Sequence, residues 1–596
     1  MVNRDIKNNI DINGLWLSVL SGFVSEDTTQ STKTTETMHK AGSINTENLK
    51  IQSADGIDIL GQNIKATGDT VFDHGRGALN TGGYENKTTV EEKTHTETIS
   101  AEVGVRNAYL DAVLAVGAVK DAAEAVKQAK DQYSQAQRDY ASGKISKEAL
   151  DDTKANVTMA TANLANAQIA VGAAAATAAA SSATYGFTIG ANGERIETTT
   201  STNTTQGKWQ GSQLDLNNLT LKSEGQDVNL QGSRLTATGT TTFDGTKDFN
   251  VSAGKEQSQQ ETSSKTNNQS VSYTYGGGGS VSVGKQTSKS HDESLTNVNS
   301  QVELNKVSGS LNKLNIQGGE VSIADRGDLK VNEIHVESLQ DTASGNNNSK
   351  GGSVGAGFGS SGLSNISGSY NQGKGQNDKA WVNETSKLLI GNAQNGADLD
   401  AMGVQKISNI GGVIANASKN EDGTLTDHKK LNYTGQLELK DIQDHSSESN
   451  RGFNVSSSVG TSIKGESKES AFHPSGSTTV GLQSTGNEKE QLTKATMGQG
   501  TVSNTTTSTN RDINNTQEIT RDQVTGLLNG SVTVDNRLLT ESGREQIIKE
   551  QKDLPENLKQ ATEQIKNDVE KLALKLPDSK IQKFKNSKIQ KFKNSK

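Results

Sequence analysis

The 596-residue chain contains no cysteine. That absence excludes a disulfide framework, thiolate-ligated zinc or iron–sulfur sites, and a cysteine nucleophile. Proline is close to absent, with three residues, and aromatic residues make up only 4%. Hydrophobic residues reach 30%, too few to fill the ordinary globular cores that such a length would suggest. No long hydrophobic run is present, so no transmembrane segment is read; the most apolar stretch, 173–180, is alanine and threonine inside a helical pattern. The N-terminus is charged and lacks an h-region, so no signal peptide is read there. A net charge of −8 argues against a nucleic-acid-coating protein. Disordered chains combine low hydrophobicity with high net charge and abundant proline, which this composition does not. Asn, Ser, Thr and 61 glycines instead surround short Val/Ile/Leu alternations. Such a chain can bury a thin, one-dimensional core.

Two blocks repeat. Residues 48–73 run Asn48-Leu49 to Gly61-Gln-Asn-Ile64-Lys-Ala66-Thr67-Gly68-Asp-Thr70-Val-Phe72-Asp73. Residues 218–244 run Asn218-Leu219 to Gly232-Ser-Arg-Leu235-Thr-Ala237-Thr238-Gly239-Thr-Thr241-Thr-Phe243-Asp244, with one inserted residue. Apolar residues alternate within each, at Leu49/Ile51, Ile57/Ile59, Leu219/Leu221 and Val228/Leu230, and again at Val302/Leu304, Leu314/Ile316, Val321/Ile323, Leu329/Val331, Ile334/Val336 and Leu437/Leu439. Period two over short runs ended by Gly or Asn reads as strands with tight turns. The spacing also suits a sandwich, but small aliphatics in short runs favour a solenoid. The expected fold is mainly β, a right-handed parallel β-helix. Some 300 strand-forming residues would then span on the order of 70 Å.

Each block leads into a polar tract and then a glycine-rich alternating stretch: 256–270 then 271–284, 338–350 then 351–359, 445–451 then 452–460. These read as β-hairpin excursions, with disordered linkers as the alternative. Residues 107–183 differ. Ala112, Val119, Val126, Tyr133 and Tyr140 fall seven apart, with Ala115, Ala122, Ala129 and Ala136 three later. Leu150, Val157, Leu164 and Val171 repeat the pattern, with Thr153, Ala160, Ala167 and Ala174. Small d residues let two helices approach closely. Gly143 suits a helix C′ position and Ser146 an N-cap, with Ile145 and Leu150 as a staple. An inserted antiparallel helical hairpin is expected, with a homo-oligomeric coiled coil as the alternative. Near the C-terminus Ser542-Gly-Arg-Glu545 fits a capping box and Pro555 fits N1 of a second helix, whose apolar face carries Leu558, Ile565, Val569, Leu572 and Leu576 and which Pro577 stops. The expected divisions are a solenoid block at 1–106, the helical hairpin at 107–183, a solenoid with glycine-rich excursions at 184–500, a helical segment at 501–577 and a tail at 578–596. Within it Ser-Lys-Ile-Gln-Lys-Phe-Lys-Asn starts at 579 and repeats at 587, and residues 579–596 carry seven lysines and no acid. It could touch anionic lipid or nucleic acid, but a tandem octapeptide reads rather as translated repetitive DNA.

Chemistry-bearing patterns are few, and no catalytic, cofactor-binding or metal-ligating residue is assigned. Gly279-Ser-Val-Ser-Val-Gly284-Lys285 fits most of a phosphate-binding loop, but Gln286 stands where Ser or Thr is required, and the context is β rather than a helix start. The histidines at 39, 74, 95, 291, 335, 428, 445 and 473 are scattered. None has zinc-ligand spacing. His335, between Ile334 and Val336, is expected to face outward and the others to be solvated. Asp55, Asp58 and Asp69 read as turn-formers, lacking calcium-loop spacing.

The paired blocks, the Gly-x-x-(Ile/Leu)-x-Ala-Thr-Gly pattern and the polar tracts leading into glycine-rich stretches resemble the haemagglutinin repeats of two-partner-secretion exoproteins. These are the filamentous haemagglutinins and contact-dependent growth inhibition proteins of Gram-negative bacteria. Asn510-Arg511-Asp512 through Gln517-Glu518-Ile519-Thr520-Arg521-Asp522 to Val534-Asp535-Asn-Arg537-Leu538-Leu539 is similar to the region preceding their variable toxins. The resemblance covers roughly residues 10–575 and implies a non-enzymatic surface adhesin or toxin-delivery stalk. It also implies export through an outer-membrane partner transporter and binding to a receptor on a host or neighbouring bacterial cell. The secretion domain, the Val-Glu-Asn-Asn motif and a toxin domain are not read here. The chain is therefore expected to be an internal-to-distal fragment, with a carrier that has lost a nuclease or pore-forming toxin, or a non-functional remnant, as alternatives.

Overall fold

The computed structural model describes residues 2–5, 21–180, 187–274, 278–359, 362–460 and 476–573. Among the described residues the chain is mainly β with three α-helices. Its strands divide into short parallel ones and long antiparallel ones.

The short strands stack in register, so like side chains form columns. Ile64 pairs with Leu214, Leu214 with Leu235, Leu235 with Val302, Val302 with Val321 and Val321 with Leu388. A second stack aligns Leu79, Val228, Phe249, Leu314, Ile334 and Ile407. The strand Ser300–Gln317 belongs to both. These residues are buried in one continuous cluster. From Ile44 to Met497 the first stack makes eight parallel pairings, roughly 40 Å at about 4.8 Å each. That is shorter than the span expected from sequence, because many of the strand residues leave the stack.

The repeated pattern has a local explanation. Gly61 and Gly232 both turn with positive φ, +62° and +51°, a region that favours glycine. Asn48 Oδ1 accepts the Asp69 N–H at 2.8 Å and Asn218 Oδ1 accepts the Thr240 N–H at 2.9 Å. A Cβ on Gly68 or Gly239 would meet those oxygens at 2.3 and 2.2 Å. The Asn-Leu and Ala-Thr-Gly pieces of each block are thus two halves of one clamp between neighbouring strands. On the outward side of the second stack the amides chain together: Asn80 donates to Asp58, Asn229 to Asn80, Asn250 to Asn229 and Asn315 to Asn250, at 2.8 to 3.2 Å. Asp58 therefore ends an amide ladder and Asp69 lies within the strand Asn63–Asp73. Of the three aspartates read as turn-formers, only Asp55 sits in a turn.

The long strands form an 11-stranded antiparallel sheet whose spatial order follows the chain, from Val2–Asp5 to Gln517–Asp535. The polar and glycine-rich stretches pair as Gly254–Thr274 with Gly278–Val298, Asp341–Gly359 with Gly362–Trp381, and Ile442–Gly460 with Ser477–Thr493. The hairpins expected from sequence are formed, the disordered-linker alternative does not hold, and the hairpins also join edge to edge. An isolated two-stranded hairpin is marginal in water, and its neighbours supply the missing partners. Cross-strand hydroxyl pairs add to this, with Thr198 to Thr266 and Thr200 to Ser264 at 3.1 Å. The strands Tyr84–Asn107 and Phe187–Gln210 run 24 residues each. This sheet rather than a solenoid dominates the β structure, and the sheets do not close on themselves.

Helices α1 (Ala108–Ala141) and α2 (Lys147–Ala180) are inserted between Tyr84–Asn107 and Phe187–Gln210. Ala115, Val119, Ala122, Val126, Ala129 and Tyr133 are buried or half-buried, while the residues between them are exposed. Gly143 takes φ +76° after α1, and Ser146 Oγ accepts the Ala149 N–H at 3.2 Å, as the sequence predicts. The seam is filled within the chain, α1 against α2. Helix α3 spans Glu541–Ala573 without a break. Two expectations fail here. The N-cap is Thr540, whose Oγ1 accepts the Gly543 N–H at 3.2 Å, not Ser542. Pro555 lies inside the helix rather than opening a second one. Proline forfeits one helical hydrogen bond, and docking of α3 on α2, with Gln551 Nε2 donating to the Gln168 carbonyl at 2.8 Å, holds the helix through it. Within the segment expected to be helical, Gln517–Asp535 is a strand. Pro577, His473 and the lysine-rich tail lie outside the described residues.

Candidate interaction surface

Side chains alternate across a strand, so register assigns each residue of the long sheet to a face. One row crosses Phe23, Ala101, Gly193, Val271, Val281, Ala356, Ile366 and Val459. The next row towards the parallel stacks carries Ile99, Val283, Val354 and Val534, and the one after it Tyr370, Val455, Val480 and Val532. Tyr273 and Phe358 flank the first row on its other side. Val271 is 59% exposed, Tyr273 57%, Val354 62% and Ile366 51%. The opposite face reads differently: Thr28, Thr96, Thr198 and Thr266 in one row, Gln30, Thr94, Thr200 and Ser264 in the next. Near the hairpin tips the central strands of the long sheet are therefore apolar on one face and hydroxyl-rich on the other, while the outer strands carry Asp27, Glu97, Arg195 and Glu197 on the first face.

Cations border the apolar field on its own face. Lys285 pairs across from Gly352, Lys265 and Lys350 both lie opposite Thr287, and Lys374 pairs with Arg451. With Lys289 these six form a slanting line, and all six are exposed. Among the described residues none of them makes an ion pair, in contrast to Arg195, which bonds Glu97 at 2.6 Å.

An edge strand this long would invite pairing with another chain. Helix α2 covers it. Asn156 Nδ2 donates to the Leu527 carbonyl at 2.7 Å and Asn156 Oδ1 accepts the Asn529 N–H at 3.0 Å. Asn163 repeats the arrangement one heptad later, donating to the Ser531 carbonyl at 2.5 Å and accepting from Thr533 at 3.0 Å. Asp152 accepts the Leu527 N–H at 3.0 Å. Sequence reasoning passed over these asparagines, although polar residues seven apart beside the apolar seam are a readable signal. Beyond the edge, Arg537 joins the sheet to α3, with Nη2 donating to Asp535 at 2.7 Å and Nη1 to Glu550 at 2.8 Å. Hydrogen bonds to Asp535, offset in part by burial and reinforced by Glu550, hold its guanidinium above the usual range.

An open cleft of about 580 Å³ lies between the hairpins near the stacks, lined among others by Glu85, Lys87, Glu293, Asp378, Lys379 and His445. His445 meets Asp378 at 2.9 Å. His95 and His291 likewise face carboxylates, and His39 stacks on Tyr84 at 4.3 Å. His335 lies beside the buried Ile334 and Val336 and bonds Glu337 at 3.3 Å, facing out from the core as expected. His74 departs from the expectation of solvation: it is buried, and its Nδ1 bonds the Gly77 carbonyl at 2.7 Å. Residues 279–286 are extended within Gly278–Val298, with no helix start to hold a phosphate. Among the described residues no group of three His, Asp or Glu is placed to hold a metal. Burial pushes the Tyr433 phenol up to about 12, so it stays protonated and donates to the Gln436 carbonyl at 2.8 Å. No helix among the described residues is long and apolar enough to cross a membrane.

No curated protein and no solved structure matches the chain. One family model does match, and the residues it covers include parallel strands, the hairpin Gly254–Thr274/Gly278–Val298 and the glycine-rich clamp at Gly232 and Gly239. That model is hemagglutinin repeat, and it matches residues 189–352, which are similar to that family.

Proposed function

We propose that this chain is a structural and binding segment of a secreted bacterial surface exoprotein of adhesin type. In this reading the parallel strands are rungs of a right-handed β-helix that supplies reach, and the antiparallel sheet presents the binding face. Export would run through an outer-membrane partner transporter, and the surface met would be that of a host or neighbouring bacterial cell. The hemagglutinin repeat over 189–352 carries the proposal, because that stretch builds both kinds of sheet. Contact would be spread over an extended face rather than held in a pocket. This agrees with an apolar field of exposed Val, Phe and Tyr side chains on an otherwise polar molecule. The test is binding of the fluorescently labelled full chain to intact bacterial and epithelial cells. Saturable binding, competed by unlabelled chain, is expected on at least one cell type. Binding equal to that of a labelled albumin control on every cell type would refute the reading.

A further inference from the structure

We propose that the apolar face of the long sheet docks on an anionic lipid bilayer. This deepens the adhesin reading and rests on it, since it names the chemistry of the surface that is met. Three observations combine. The first is apolar area. On the central six strands, Gly254–Thr274 to Ser477–Thr493, two to three adjacent rows of one face are built mainly of Val, Ile, Phe, Tyr and small residues, interrupted by Gln269 and, in the third row, by Asn267 and Lys285. At about 4.8 Å between strands and about 6.8 Å between rows on one face, the field covers on the order of 300 Å². That is comparable to the largest apolar patch of a typical monomer, which is often functional. The second is charge. Lys265, Lys285, Lys289, Lys350, Lys374 and Arg451 line the stack-side border of that field on the same face, exposed and without ion-pair partners among the described residues. The third is the opposite face of the same strands, which offers Ser, Thr, Asn, Gln and Gly.

An interfacial element needs this arrangement: an apolar surface that sinks about 5–10 Å into the headgroup–acyl boundary, with cations beside it at headgroup level. The apolar rows lie towards the hairpin tips and the cations towards the stacks. A tilted approach of the tips therefore buries the first and leaves the second among phosphates. A second copy of the chain fits less well. Between Val271 and Lys265, Val281 and Lys289, Phe358 and Lys350, and Ile366 and Lys374, this face carries no acid to meet a facing line of cations; the acids of the same face lie on neighbouring strands, at Glu97 and Glu197, or stack-side of the cations, at Glu261, Glu293 and Asp378. Long cationic side chains at the border also lay their methylenes along the apolar field.

The experiment is flotation of the full chain with vesicles of phosphatidylcholine alone and with about 30% phosphatidylglycerol, an anionic surface. Binding to the anionic vesicles, weakened by salt and absent from the neutral ones, is expected. Each border lysine is worth about fivefold in partition, so Lys265→Gln/Lys285→Gln/Lys289→Gln binds about a hundredfold more weakly. These side chains are exposed, and the variant is expected to melt as the parent does. Phe358→Trp, read as the difference from the parent chain with its three tryptophans, reports insertion: the added emission shifts to the blue with anionic vesicles. No flotation, a triple variant that binds as the parent does, or unshifted Phe358→Trp emission overturns the proposal. So does a parent chain whose apolar field is covered by a dimer that Val281→Ser/Ile366→Ser dissolves. Cells that bind the triple variant undiminished overturn the lipid assignment and leave the adhesin reading standing.

Discussion

Replacing Asn163 with alanine removes two of the bonds that close the sheet's last edge. In the parent, Asn163 Nδ2 reaches the Ser531 carbonyl at 2.5 Å and Asn163 Oδ1 takes the Thr533 N–H at 3.0 Å. A hydrogen bond made on folding is worth about 1 kcal/mol net, so the pair contributes about 2 kcal/mol to the docking of α2. Helix propensity shifts the other way, since alanine is the better helix former by a fraction of a kcal/mol. Docking therefore weakens while α2 itself stays formed. The assay is native-state hydrogen exchange read at Thr533 and Asn529. At about 1.4 kcal/mol per decade, protection at Thr533 falls roughly thirtyfold. Asn529, held by Asn156 at 3.0 Å, loses less. With Asn156→Ala added, both amides become fast, and the bared edge makes the chain self-associate as concentration rises. Thr533 protection that does not change in the single variant, or that falls equally at both amides, refutes the claim that these asparagines act as surrogate strand partners.

Thr70 and Thr241 occupy equivalent positions of the repeat, stacked with Leu219 and Val307, and their buried hydroxyls have no partner among the described residues; Thr241→Val is expected to stabilise the stack by about 1–2 kcal/mol, seen as a raised midpoint in denaturant. The amide ladder stops at Asn315, whose Oδ1 is buried beside His335 without a partner among the described residues. His335→Asn is expected to extend the ladder and raise stability by about 1 kcal/mol, whereas Asn229→Ala, which strands both neighbours, lowers it by about 1–3 kcal/mol. Arg537→Ala leaves Asp535 and Glu550 facing each other with no cation between them; a cost of about 3–5 kcal/mol is expected, read as protease cleavage within 541–573 while the sheets stay intact.

The parts of this fold that could be read from the sequence are those set by local spacing. Period-two aliphatics gave the strands of the stacks, because one buried face forces alternation whatever the partner strand is. The heptad of α1 gave a helix pair, and Gly143 and Ser146 gave its turn, because cap and seam are decided within a few residues. What local spacing did not carry was the partner of each polar strand. Residues 254–274 and 278–298 alternate Ser or Thr with Lys, Val or Tyr, a pattern equally consistent with a lone hairpin. Their union with hairpins far along the chain depends on where the parallel strands place each hairpin base. Leu235 sits directly beneath Val302 with one hairpin between them in sequence, and Val321 beneath Leu388 with another. The parallel stacks thus act as a ruler that brings successive hairpins alongside one another, and the long sheet follows from the stacks rather than from the polar tracts. The same reasoning explains why the surface was missed. Each exposed Val or Lys, taken alone, is an ordinary outward residue of an ordinary strand. Only the register, which puts Val271 beside Val281, Val281 beside Ala356, and Ala356 beside Ile366, turns single residues into a field with a cationic border. Shifting one hairpin by a single residue would carry its Val and Tyr to the hydroxyl face and break the field at that strand. The glycine clamps at Gly68 and Gly239, which sit mid-strand beside the register shift between neighbouring strands of the stack, therefore bear on the binding face as well as the core.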